Sequence, residues 1–146
     1  MRPSGLMTLM AVALALAGCG QRKEVSADAG QGIYLIRCAV CHGMNGEGKA
    51  GLYPPLAGSD RVKGPPERMA AIILDGMQGA DAGYNGVMPG WRGYLQDAEI
   101  AAVMTWLREQ NGAGPVTAVE VNRVRIRTEG RGAFWTAGDL QKLRVP

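Results

Sequence analysis

Apolar residues change their spacing several times along this chain of 146 residues, and each change marks a different element. Leu6 to Ala17 is an apolar run behind Arg2, too short to cross a bilayer as a settled helix. Gln21 to Ala29 is polar and rich in small residues, the texture of a tether. A first helix is expected from Ser26 or Asp28 to His42, with Ile33, Leu35, Ile36 and Val40 among its apolar positions. Gly43 to Gly58 has no periodicity and reads as loop. Pro65-Pro66, followed by Glu67 and the apolar stretch Met69 to Leu74, predicts a helix with proline and acid in its first turn, stopped by Gly76. A second loop runs from Met77 to Gly93. Asp97 to Gln110 then sets Ile100, Val103, Met104 and Leu107 at i, i+3, i+4 and i+7, the clearest helical period in the chain, and Asn111-Gly112 ends it. Gln96 precedes this helix, so Asp97 is expected to cap it.

Beyond Gly114 the pattern weakens. Thr117-Ala118-Val119-Glu120 has capping-box spacing and Thr136-Ala137-Gly138-Asp139 a looser version, which predicts short helices near 118–127 and 137–143. Val119, Val121, Val124 and Ile126 are β-branched and leave a strand open as the other reading, and a disordered tail is a third.

Length and composition suit one small domain. The chain is 47% apolar but only 5% aromatic, with 22 glycines, so the protein core alone would be thin and a buried prosthetic group would enlarge it. Charge is uneven: residues 27–112 carry seven basic and nine acidic side chains, residues 113–146 six and three. Arg123, Arg125, Arg127 and Arg131 would steer an acidic partner, touch anionic lipid, or form a solvated basic face. The N-terminus has the order of an exported precursor. Small residues in Leu16-Ala17-Gly18-Cys19 match the bacterial lipoprotein signal, with cleavage before Cys19 and acylation of that residue; an ordinary signal peptide cut nearby is the alternative. Expected boundaries are a signal peptide over 1–18, a tether over 19–29, a main domain over 30–112 and a C-terminal extension over 113–146. Export argues against nucleic acid as a partner.

The chemistry concentrates in Cys38-Ala39-Val40-Cys41-His42. On a helix these residues put two thiols and an imidazole on one face, and C-x-x-C-H is read as covalent attachment of c-type haem. Three other readings compete. A thioredoxin-like pair needs a strand leading into the first cysteine, and no β-branched run precedes Cys38. Structural zinc needs four ligands from a chain with three cysteines and one histidine. A Cys38–Cys41 disulfide would close a very small loop in awkward geometry. Gly46-Glu47-Gly48-Lys49-Ala50-Gly51 is a literal G-x-G-x-x-G, yet it lacks the βαβ setting that gives the motif meaning.

From about Gly30 to Asn111 the chain resembles the small class I c-type cytochromes. The likeness rests on Cys38-Ala39-Val40-Cys41-His42-Gly43, Tyr53-Pro54-Pro55-Leu56-Ala57-Gly58 and Val87-Met88-Pro89-Gly90-Trp91. It implies an all-α cytochrome c fold, three main helices around one haem c bonded through Cys38 and Cys41, with His42 on the iron. It also implies that the Pro54 carbonyl meets the other nitrogen of His42, against the plain reading of Pro54 as a turn former. Gly32 and Tyr34 match the family's small and aromatic positions where the first helix crosses the last. Trp91, Tyr94 and Trp106 are expected near the haem or across those two helices.

His42 is the chain's single histidine, so the second axial ligand is sought among eight methionines. Met1, Met7 and Met10 leave with the signal, Met44 is too close to His42, and Met69 and Met104 lie in amphipathic helices. Met88, in a loop stiffened by Pro89, is the expected ligand, with Met77 the other candidate. The expected function is single-electron transfer, not enzymatic turnover, between a periplasmic or membrane donor and an oxidase or reductase. A place as the cytochrome subunit of a dehydrogenase complex fits the same reading. The alternative is an open-site haem that binds a diatomic gas or peroxide. In a third reading the extension anchors a larger complex.

Overall fold

The computed structural model describes residues 26–79 and 83–144, and among them every regular element is a helix. Helix α1 (Ala27–Arg37) starts at Ser26, whose hydroxyl accepts from the Ala29 N–H. The first helix does not run unbroken to His42. It bends at Cys38 (φ −110°, ψ −37°) and resumes as α2 (Ala39–His42). The ladder survives the bend, because the Cys38 N–H donates to Tyr34 O at 2.8 Å while Cys41 and His42 N–H both donate to Cys38 O. Gly43, at φ +77°, ends α2.

A single turn, α3 (Asp60–Lys63), precedes α4 (Pro66–Asp75), which has Pro66 and Glu67 in its first turn and Gly76 at its end. Helix α5 (Asp97–Gln110) buries Ile100, Val103, Met104 and Leu107. Its cap is Gln96 and not Asp97: the Glu99 carboxylate accepts from the Gln96 N–H at 2.8 Å, which leaves Asp97 free for Arg125 and Asn122.

Helices α1 and α5 cross with their backbones nearly touching, and the small residue that permits it is Gly30. A Cβ there would stand 2.2 Å from Ala102 O, whereas one at Gly32 would meet nothing within 4 Å. Tyr34 stacks on Trp106 across the same crossing, ring centroids 4.7 Å apart. Tyr94 is not at this crossing: it is 77% exposed and meets Trp91 edge-on, ring centroids 6.2 Å apart.

The segment after Asn111 is helical and packed. Helix α6 (Ala118–Arg127) is capped reciprocally by Thr117 and Glu120 and buries Val121 and Val124 against α4 and α5. Helix α7 (Ala137–Lys142), capped by Thr136, buries Leu140. The strand and disordered-tail readings of this region are therefore set aside. Its arginines do not form one solvated face: Arg125 donates to Asp97 at 2.6 Å and to the Arg92 and Leu95 carbonyls, and Arg131 pairs with Asp139 and covers the Trp135 ring. Arg108 is buried and spends its guanidinium on the carbonyls of Val62, Gly64 and Gly114, tying α5 to the end of α3 and to the start of the extension.

Candidate functional site

Between α2, the loop after it, α4, the loop before α5 and α5 itself lies a cavity of about 360 Å³. Its wall is predominantly apolar, with Leu56, Val62, Ile73, Leu95 and Leu107 among the contributors. This size and character are those of cofactor clefts. Cys38, Cys41, His42, Pro54 and Met88 all reach its wall, so the residues singled out over a span of fifty positions converge on one space. Cys19 lies outside the described residues.

Local chemistry explains how His42 is presented. Its ring is buried, and Nδ1 lies 3.3 Å from the Pro54 carbonyl, to which it can donate in the tautomer that leaves Nε2 with its lone pair. The loop that returns Pro54 is folded on its own backbone: Gly48 N–H donates to His42 O at 2.8 Å, and Leu56 and Ala57 N–H both donate to Gly46 O. Burial lowers the pKa of His42, and the Pro54 carbonyl partly opposes this by favouring the protonated ring. The imidazole is thus neutral at pH 7 and able to act as a ligand. Burial, and secondarily the charge of Cys41, pushes the Cys38 thiol up to about 11, which makes it a poor thiolate ligand. Among the described residues no group of three or more His, Cys, Asp or Glu gathers to hold a bare metal ion, and no strand leads into Cys38.

The preceding helix is anchored too. The buried Tyr34 hydroxyl donates to Gly43 O at 2.6 Å, which joins the α1–α5 crossing to the segment that leaves His42. Its pKa is pushed up to about 12, chiefly by burial and then by Cys38 and Glu47.

Two methionines besides Met88 reach the cavity. Met69 comes from α4 and Met77 from the segment just after it. Met77 and Met88 exchange both backbone hydrogen bonds, at 3.0 and 2.9 Å, as an antiparallel pair. Opposed residues of such a pair share a face, which is why both side chains reach the same space. Met77 is buried in the core, while Met88 is half-buried on the loop and packs against that core. Periodicity points Met69 to the core, and a helical residue facing both core and cleft has no separate sequence signal. Trp91 also lines the cavity, under the Arg37 guanidinium at 5.8 Å.

An all-helical fold around an apolar cleft, with two cysteines and a histidine at C-x-x-C-H spacing on its wall, defines a haem-binding electron-transfer domain. Comparison with known families agrees. The family described as cytochrome c oxidase, cbb3-type, subunit III matches residues 25–107, and the chain belongs to that family of c-type cytochromes. Cytochrome c-552 of Thermus thermophilus is 36% identical over 106 residues, covering 62% of this chain and 80% of that protein. The cytochrome c subunit of alcohol dehydrogenase (quinone) from Gluconobacter oxydans is 32% identical over 105 residues, or 67% of this chain. The cbb3-type cytochrome c oxidase subunit FixP of Bradyrhizobium diazoefficiens is 30% identical over 114 residues. The match spans only 22% of the Gluconobacter subunit and 35% of FixP. The protein is a class I c-type cytochrome: its cofactor is haem c, attached through Cys38 and Cys41, and its role is single-electron transfer.

Proposed function

We propose that His42 and Met88 are the two axial ligands of this haem, that Pro54 orients His42, and that the protein is exported and held at a membrane by acylated Cys19. The observation that carries the site assignment is the convergence on one apolar cavity of two thiols, the chain's single imidazole and a loop thioether. When bound, the haem iron supplies one-electron oxidation and reduction. The chain's own residues bind and orient it. Cys38 and Cys41 would hold the macrocycle; the Pro54 carbonyl would hold the His42 tautomer; Met88, on a loop stiffened by Pro89, would present its sulfur; and the apolar wall would exclude water. Ligation by histidine and methionine closes the iron to substrates and favours electron transfer over catalysis.

The partner class is drawn from relatives named as cytochrome c subunits of two dehydrogenases and as a subunit of a cbb3-type cytochrome c oxidase. The donor is then a dehydrogenase or quinol oxidoreductase and the acceptor an oxidase or reductase, with the chain serving as a mobile carrier or as one subunit of such a complex. Contact would be made around Ala39, Val40 and the Met88 loop, where Val40 is 85% exposed. Small transient interfaces are usual for such encounters. No described helix is long and apolar enough to cross a membrane. In this reading the lipid on Cys19 and the tether over 19–29 make the attachment. The site is the periplasmic side of a bacterial envelope, where thioether attachment takes place in an oxidising compartment.

Mass spectrometry of the mature, membrane-extracted protein tests both halves, since it reads added haem at the Cys38–Cys41 peptide and acyl chains at Cys19. Absorption spectra then test the ligands. A red-region charge-transfer band that is lost in Met88→Ala and kept in Met77→Ala supports the assignment. A five-coordinate ferrous spectrum that shifts with carbon monoxide in the wild type would instead establish the open-site reading.

A further inference from the structure

Four sets of contacts hold the loop that carries Met88, and two of them come from the C-terminal extension. The first is the Met77–Met88 backbone pair. The second lies at the end of α4, where Trp91 and Arg92 N–H donate to the Ile73 and Leu74 carbonyls at 2.9 and 3.0 Å and satisfy groups a helix end leaves open. The third is on the other edge of residues 76–78: Gln78 N–H donates to Trp135 O at 3.1 Å and Trp135 N–H to Gly76 O at 3.0 Å. Met77 is therefore paired on one side with Met88 and on the other with Trp135.

The fourth is a side-chain clamp. Asp75, nearly buried, accepts from Arg92 Nε and Nη2 at 2.6 and 3.0 Å and from Trp135 Nε1 at 3.3 Å. Arg92 also donates to the Thr128 hydroxyl and to the Arg125 carbonyl, so one guanidinium joins the methionine loop, α4 and the end of α6. The junction has no slack. Gly76 sits at φ +79°, and a Cβ there would stand 2.5 Å from Met88 O and 2.8 Å from both Gly90 N and Phe134 Cδ1.

We propose that the extension, through Trp135 and the Asp75–Arg92 pair, is a strap that holds the Met88 loop closed and sets how readily an outside ligand replaces Met88. This rests on Met88 being an axial ligand. A thioether is a weak ligand, so its residence depends on how rarely the loop opens. Contacts made only in the closed state lower the open population, by tenfold for each 1.4 kcal/mol they contribute. An outside ligand binds only the open state, and its apparent affinity falls by the same factor. Asp75, Arg92 and Trp135 are positioning residues: among the described contacts they reach the site through Met77 and Met88 and not directly.

The experiment uses full-length, haem-loaded protein and imidazole as the probe, titrated well below each variant's melting temperature. Trp135→Ala and Asp75→Asn are each expected to bind imidazole about tenfold more tightly than the wild type. Val121→Ala, which opens a fully buried position of α6 that makes none of the clamp's hydrogen bonds, is expected to lower the melting temperature and leave imidazole affinity unchanged. The strap is refuted if Trp135→Ala and Asp75→Asn bind as the wild type does, or shift no more than Val121→Ala. Met88→Ala separates the two assignments: open-site binding in that variant alone sinks the strap and keeps the ligand, whereas wild-type affinity in it sinks the ligand itself.

Discussion

Replacing Gly30 by alanine adds one carbon at the tightest contact between two main helices. An ideal Cβ would lie 2.2 Å from Ala102 O, 2.6 Å from Ala102 C and 3.1 Å from Val103 N, all backbone atoms in the middle of α5 that cannot rotate aside. Ordinary contact requires about 3.5 Å, so α1 and α5 must separate by about 1 Å along that line. The separation reaches further, since it loosens the Tyr34–Trp106 stack one turn on and the Tyr34 hydroxyl that holds Gly43 next to His42. Overpacking of this kind costs about 3 kcal/mol. Removing a helical glycine returns about 1 kcal/mol. The net loss is about 2 kcal/mol, equivalent to roughly 7 °C in melting temperature for a domain of this size. Gly32→Ala is the matched control: nothing lies within 4 Å of its Cβ, so the same propensity gain of about 1 kcal/mol is unopposed and the sign reverses. Urea unfolding of the haem-loaded proteins, followed by far-ultraviolet circular dichroism and by the haem absorption, measures both. Wild-type stability in Gly30→Ala, or equal losses in the two variants, would refute the close crossing.

Thr117→Ala removes the hydroxyl that accepts from the Glu120 N–H, and thermal melts should show a loss of about 1 kcal/mol. The Glu120 carboxyl is held below its ordinary 4.5, first by the Thr117 backbone N–H and then by the Thr117 hydroxyl. Its contribution is thus complete above that value and lost as pH falls through the lowered one; Glu120→Gln should flatten this part of the acid-unfolding curve and leave stability above pH 5 nearly independent of pH in that term. Arg125 and Asp97 meet at 2.6 Å with both side chains largely shielded, so a double-mutant cycle on Arg125→Ala and Asp97→Ala should give a coupling of about 1 kcal/mol, against zero for an idle surface pair. Cys41→Ala leaves one thiol for attachment, and its mature peptide should carry haem through Cys38 alone; unmodified Cys38 in the haem-loaded wild type would overturn the thioether assignment.

Short-range information was enough for much of this protein. Apolar spacing and local caps mark α4, α5, α6 and α7 within a residue or two, because hydrogen bonds along a helix and from Thr117 or Thr136 to its first turn join residues close in the chain. C-x-x-C-H names the cofactor for the same reason: the two thiols and the ring are neighbours before anything folds. Contacts between distant segments left no such mark. Glycine at 30 and at 32 look alike until α5 is laid across α1. The Asp97 carboxylate looks like a cap until α6 brings Arg125 to it, and Arg108 looks like a surface cation until α3 offers its carbonyls. Met77 and Met88 share a face only because two stretches of one loop pair, and Trp135 meets that pair from forty-seven residues past Met88. Chain connectivity sets the first kind of contact and through-space packing the second, so the extension's hold on the methionine loop emerges with the folded chain.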